Sequence, residues 1–133
     1  MKNIPIILIT PGEPSGIGYD ILLDITKKKF PANIIAITNI DLLKERADIL
    51  KKKVNIIKVN INENNLPLKS TNDIYVHDLN EVNKVKIGEP SIKHVPLILK
   101  SLDLAITSCI NNLADAFVTG PVQKSTIMEY GVK

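Results

Sequence analysis

Four short runs rich in β-branched residues set the pattern of this chain: residues 4–10 (IPIILIT), 33–38 (NIIAIT), 54–59 (VNIIKV) and 114–119 (ADAFVT). Each is too short for a typical helix, and the first and second are apolar at successive positions. That pattern predicts strands covered on both faces. Between the first three lie stretches with apolar residues at helical spacing. Residues 19–28 carry Ile21, Leu22 and Ile25, and DLLKERADILKKK, opened by Asp41 as a helix N-cap, carries Leu42, Leu43, Ala47, Ile49 and Leu50. Parallel strands need crossover connections, and a strand–helix–strand alternation supplies them. The expected fold is therefore α/β, three-layered, with a mostly parallel sheet.

The remainder fits that frame. DIYVHD (73–78) reads as a further short strand, and residues 60–72, rich in Asn and interrupted by Pro67, as a loop. Residues 81–89 are polar and receive no element. A long helix is expected from Pro90 and Ser91 to about Asn112, with Leu97, Ile98, Leu102, Ala105, Ile106, Cys109 and Ile110 on one face. Pro96 should kink that helix or delay its start. A last helix over residues 123–130 would end at Gly131. No repeat or linker divides the chain, so residues 1–133 are read as one α/β unit without an internal boundary. The pattern also reads as the N-terminal part of a longer sheet. Exposed strand edges would then make the isolated chain prone to aggregation or to fast amide exchange.

Composition excludes several classes of function. Net charge is +3, and the two KKK runs, at Lys27 to Lys29 and Lys51 to Lys53, each follow a helical stretch where cations favour the C-terminus. Aromatic residues are 4%, too few for base-stacking platforms, so no nucleic-acid partner is expected. No apolar run is long enough to cross a membrane. The apolar N-terminus runs into PGEPSG without a small-residue cleavage site, which argues against a signal peptide. A single cysteine, Cys109, allows no internal disulfide. A cytoplasmic location is the expectation.

Two segments hold the candidate chemistry, because open α/β sheets bind ligands at the carboxyl ends of their strands. PGEPSGIG follows the first strand and TGPVQK follows the last. Each would lead into a helix N-terminus with unpaired backbone N–H groups, and Lys124 would add a positive charge. PGEPSGIG lacks the Lys of a GxxxxGK[ST] loop, and its spacing of Gly12, Gly16 and Gly18 is not GxGxxG. On residues alone it is an active-site loop or a structural turn. Asp41 stands where a ribose-binding acid could follow, but capping explains it as well. His77 and His94 have no His or Cys at ligand spacing, so no metal site is expected within the chain. Cys109 reads as a core residue and Asp115 as a cap or surface residue. Ser15 has no convincing partner base for a catalytic triad.

Taken together, ILITPGEPSGIGYD, PSIKHVPLILKSLDLAI and ADAFVTGPVQKSTIMEYGV resemble the N-terminal portion of the 4-hydroxythreonine-4-phosphate dehydrogenases of pyridoxal phosphate biosynthesis. The resemblance is weakest over residues 54–85. It implies an isocitrate-dehydrogenase-like α/β fold and a cytoplasmic homodimer. It implies NAD or NADP, a divalent ion (Zn, Mg or Co) and a small phosphorylated substrate whose secondary alcohol is oxidised before decarboxylation. Pro11, Gly12 and Glu13 would form one wall of the substrate cleft, and Gly120 and Lys124 another. The family's substrate-binding His-Thr pair and its three metal-binding histidines fall beyond Lys133, so no catalytic or metal residue is assigned and the chain alone is expected to be inactive. Gln123 stands where members often have His or Asn, and Pro96 replaces a helix-compatible residue. Two other readings are a non-catalytic truncated remnant and a phosphate-binding acyltransferase relative of the same fold.

Overall fold

The computed structural model describes residues 4–63, 66–67, 72–80, 84–122 and 124–131. The chain runs β1 (Ile6–Thr10), α1 (Gly18–Ile25), β2 (Asn33–Thr38), α2 (Ile40–Ile49), β3 (Asn55–Lys58), β4 (Asp73–Asp78), α3 (Val95–Ile110), β5 (Ala116–Thr119) and α4 (Lys124–Tyr130). The strands form one sheet in the order β3-β4-β2-β1-β5, and every pairing is parallel. The expected α/β architecture is the one observed, and β2 and β4 coincide with the predicted runs.

Alternation along the central strands divides the core into two layers. Leu8, Ile35, Ile37 and Tyr75 point to one face and pack with Leu97 and Ala105 of α3. Ala36, Ile74 and Val76 point to the other face and pack with Tyr19, Leu22 and Leu23 of α1 and with Leu43 and Ala47 of α2. Helices on both faces are what make the central strands apolar throughout.

Four local expectations are corrected. Asn39, not Asp41, caps α2: its side-chain Oδ1 accepts from Asp41 N at 2.8 Å and Leu42 N at 3.2 Å, leaving Asp41 in the first turn. The run ending in β5 is not a fully buried strand, because among the described residues β5 pairs with β1 alone at the sheet edge, and Val118 is 55% exposed. Ile21 lies outside the buried face of α1, which uses Leu22 and Leu23, and Ile49 and Leu50 lie outside that of α2, which uses Leu43 and Ala47. Ile106 and Ile110 are likewise exposed, because the buried stripe of α3 runs Leu97, Ile98, Ser101, Ala105 and Ser108.

Pro96 does delay its helix. A 3-10 turn, Ile92–His94, comes first, with Ser91 Oγ accepting from Lys93 N at 3.2 Å. The α-helix then starts at Val95, so Pro96 sits in the first turn, where its missing N–H breaks no intrahelical bond. Gly131, at φ +111°, follows α4 as expected. Among the described residues, no helix is long and apolar enough to cross a membrane.

Candidate functional site

The sheet order reverses beside β1. The chain leaves β1 through α1, which packs with α2 on one face, while α4 after β5 packs with α3 and the 3-10 turn. Neighbouring strands whose connections depart to opposite faces leave a crevice at their carboxyl ends, the usual ligand position in open α/β sheets. Both segments singled out in the sequence lie there, and they touch. Gly120 N donates to Thr10 O at 2.6 Å, and Glu13 N donates to Pro121 O at 3.0 Å.

The glycines make that contact possible. A Cβ on Gly12 would stand 2.2 Å from Pro121 O, one on Gly120 2.2 Å from Pro11 O, and one on Gly18 1.8 Å from Pro11 O. Gly12 also has φ +84°, in the left-handed region. The space that a glycine-rich phosphate loop keeps for its ligand is here filled by protein backbone. PGEPSGIG is thus the crossing of two loops, and its glycines supply no cradle for a pyrophosphate.

The crossing buries a polar cluster. Pro11 and Gly12 are buried, and the Glu13 side chain is 6% exposed. Glu13 Oε1 accepts from Ser15 Oγ at 2.8 Å and Ser15 N at 3.3 Å, and it is paired with His94 Nδ1. His94, in the 3-10 turn ahead of α3, is 2% exposed. Its Nε2 lies 3.3 Å from Lys84 O, and a carbonyl only accepts, so Nε2 carries a hydrogen. Glu13 Oε2 and Thr10 Oγ1 are buried with no hydrogen-bond partner. Sequence reasoning set His94 aside because no His or Cys stood at ligand spacing from it. Its partner lies 81 positions away, and no spacing rule reaches that far.

Arg46 was missed for the same reason. Its side chain, 4% exposed, reaches from α2 under the loop. It donates to Pro14 O at 2.5 Å, to Gly16 O at 2.9 Å and to Asp20 Oδ1 at 2.5 Å, and lies 5.6 Å from the centre of the Tyr19 ring. A planar guanidinium can serve three acceptors at once, which an ammonium on a flexible stem does poorly. Gly88 N closes the loop from the other side by donating to Ser15 O at 2.8 Å.

Tyr19 packs beneath this arrangement, its hydroxyl bonded to Thr38 Oγ1. Burial raises its pKa from 10.0 to about 12. The folded state then keeps a proton that the unfolded state loses above pH 10, so the contribution of Tyr19 is complete below pH 10. It is expected to fall away as pH rises toward 12, by about 3 kcal/mol in total. Denaturation across that pH window should show the loss, and Tyr19→Phe should flatten it. An unchanged slope in the Phe variant would remove Tyr19 as the cause.

The other sequence candidates fare differently. Lys124 is exposed at the start of α4, a helix of seven residues. Gln123 lies outside the described residues. His77 Nδ1 accepts from Ile61 N at 3.2 Å, away from the crossing, and burial lowers its pKa. Cys109 packs against the core, as expected. Asp115 receives Ile6 N at 2.8 Å, tying the start of β5 to β1. Among the described residues no group of three or more His, Cys, Asp or Glu could hold a metal ion.

Comparison with known proteins gives this geometry its context. The family model described as pyridoxal phosphate biosynthetic protein PdxA matches residues 31–133. A 4-hydroxythreonine-4-phosphate dehydrogenase of Wigglesworthia glossinidia brevipalpis is 30% identical over 134 aligned residues, covering 100% of this chain and 40% of that protein. The Vibrio cholerae enzyme of the same name is 30% identical, covering 95% of this chain and 38% of that protein. The crystal structure of a 4-hydroxythreonine-4-phosphate dehydrogenase from Burkholderia phymatum superposes with a TM-score of 0.86 at 18% identity, over 98% of this chain and 40% of that one. A terephthalate 1,2-cis-dihydrodiol dehydrogenase from Burkholderia xenovorans reaches a TM-score of 0.75 at 16% identity, over 97% of this chain and 38% of that one. The solved structures share the fold, and the chain spans about 40% of the length of the curated relatives.

Proposed function

Because the chain belongs to the PdxA family of pyridoxal phosphate biosynthetic proteins, we propose that it forms part of a 4-hydroxythreonine-4-phosphate dehydrogenase, contributing the switch-point wall of the substrate cleft. The observation that carries this reading is the likeness to such an enzyme along the whole of this chain, with both matching loops meeting at one strand edge. Pro11, Gly12 and Glu13 form one side of that wall and Gly120 the other, with Lys124 at its exposed rim.

Oxidation of the substrate's alcohol by such an enzyme needs a nicotinamide dinucleotide, NAD or NADP, and on this reading also a divalent ion. The residues described here fit neither group. The glycine loop is filled by backbone, and no three suitable ligands converge. On this proposal both groups are held by residues other than those described, and the role of this chain is to shape and orient. Arg46 and the Gly88–Ser15 bond set the loop, and the buried Glu13–His94 pair ties it to the turn ahead of α3. Homodimer formation and a cytoplasmic location belong to the same proposal.

The test is reduction of NAD and NADP in the presence of 4-hydroxy-L-threonine 4-phosphate and a divalent ion. The full product of the reading frame containing these residues should form reduced cofactor dependent on substrate, and the 133-residue chain by itself should form none. A full product without substrate-dependent reduction defeats the dehydrogenase reading. Turnover by the 133 residues alone would show that they hold what this account places elsewhere.

A further inference from the structure

The winding of the sheet says where the polypeptide goes after β5. Two connections move toward β3: β1 to β2 through α1, and β2 to β3 through α2. Both lie on one face, where Leu22, Leu23, Leu43 and Ala47 pack. Two connections move toward β5. The segment from β3 to β4 packs Ile61 on the opposite face, and the segment from β4 to β5 packs α3 there. All four therefore share one hand, as expected of parallel crossovers, which are right-handed in about 98% of cases. The helix leaving β5, α4, packs with α3 and the 3-10 turn. It thus lies on the face used by connections that move away from β3. A crossover of the same hand through α4 brings its next parallel strand to the side of β5 away from β1.

The edge itself is built as an inner position. Asp115 N donates to Ile6 O, so the alternate amides, Ala116 and Val118, point away from β1. Among the described residues no strand receives them. Sheet edges that stay open are blunted by Lys, Pro or charges, and β5 (AFVT) has none of these. Its α1 face is also uncovered. Val118 and Ile21 are 55% and 51% exposed, and with Ile9, Ile25, Pro11 and Pro121 they line an apolar groove of about 280 Å3. We propose that the free edge of β5 pairs with a further parallel strand, supplied by the polypeptide that follows α4 in the full product, and that side chains of this strand close the groove over Val118. The proposal rests on the reading that these residues are part of a longer dehydrogenase, since they match about 40% of the length of such a relative.

Amide exchange resolved to single residues by NMR of the full product tests the strand. Ala116 and Val118 should exchange more than about 100-fold slower than free peptide amides, at a rate independent of protein concentration. Nuclear Overhauser contacts should tie both amides to one later segment running parallel to β5. Val118→Pro removes an N–H that a free edge does not use, so it should destabilise the full product, whereas a free edge would tolerate it. If that variant yields no soluble protein, exchange in the unmodified product decides. Free-peptide exchange rates at Ala116 and Val118 overturn the proposal. So does an antiparallel partner, or protection that appears only as concentration rises, which would make the occupant a second copy. A reading frame that stops at Lys133 overturns it as well. Slow exchange without substrate-dependent cofactor reduction removes the dehydrogenase reading alone. Reduction with fast exchange at these two amides removes the strand alone.

Discussion

Gly12→Ala is expected to prevent this chain from folding, whereas Gly88→Ala should be tolerated. The two glycines have nearly the same backbone, φ +84° and +83°. Left-handed strain for a residue with a Cβ is therefore common to both, about 1–2 kcal/mol. They differ in what the new methyl group meets. At Gly88 there is nothing within 4 Å, but at Gly12 the methyl would sit 2.2 Å from Pro121 O and 2.9 Å from Gly120 C. Both atoms are backbone and cannot rotate aside. The loops must part, breaking the Glu13 N–Pro121 O and Gly120 N–Thr10 O bonds and opening the carboxyl ends of β1 and β5. Such a change belongs with the rare substitutions that cost more than about 4 kcal/mol. Gly18→Ala, at 1.8 Å from Pro11 O, should behave like Gly12→Ala. Soluble yield and the amide spectrum read the result. A soluble Gly12→Ala chain with native amide shifts would mean that the glycines are not required by a loop crossing.

Removing the Arg46 guanidinium should loosen the same loop without destroying the sheet. Arg46→Met keeps much of the length and the apolar stem but leaves Pro14 O, Gly16 O and Asp20 without their donor. The two carbonyl bonds are charge-assisted and lie under the loop, and their loss costs about 3 kcal/mol. The ion pair with Asp20 adds little, because that carboxylate is 39% exposed. The cost falls on local opening, so hydrogen exchange is the appropriate measurement. Gly16 N, bonded to Glu13 O, and Gly88 N, bonded to Ser15 O, should exchange more than about 100-fold faster, while the amides of β2 keep their protection. Arg46→Lys should recover only part of the loss, since a single ammonium cannot span all three acceptors. Unchanged exchange at Gly16 and Gly88 would exclude Arg46 as the support of the loop.

These two residues mark how far the sequence could be read. β2 and β4 were legible to the residue, because a β-branched run between polar ends carries its own signal. Pro96 announced a delayed helix for an equally local reason. The Asp41 cap failed by two positions, since both Asn39 and Asp41 have a capping side chain and only the path of the chain out of β2 selects between them. Exposure was misjudged at Ile21, Ile49, Leu50, Ile106, Ile110 and Val118. Apolar periodicity says that a residue can be buried, but whether anything covers it depends on elements distant in the chain.

The candidate site divides in the same way. The two glycine–proline segments were recognisable as strand-end loops, because composition and position are local properties. By themselves they left open whether the glycines face a ligand or another loop, and the backbone of Pro11 and Pro121 answers that. The Glu13–His94 pair and the Arg46 support span 81 and 30–32 positions, and no periodicity or motif links residues so far apart. The sequence alone determined the alternation of strand and helix, hence a parallel sheet with its loops gathered at one edge, because both follow from short-range patterns of apolar and turn residues. Only the tertiary structure decided which buried polar groups meet at that edge and which oxygen is left without a donor, because those contacts exist only once the strand order has brought distant segments together.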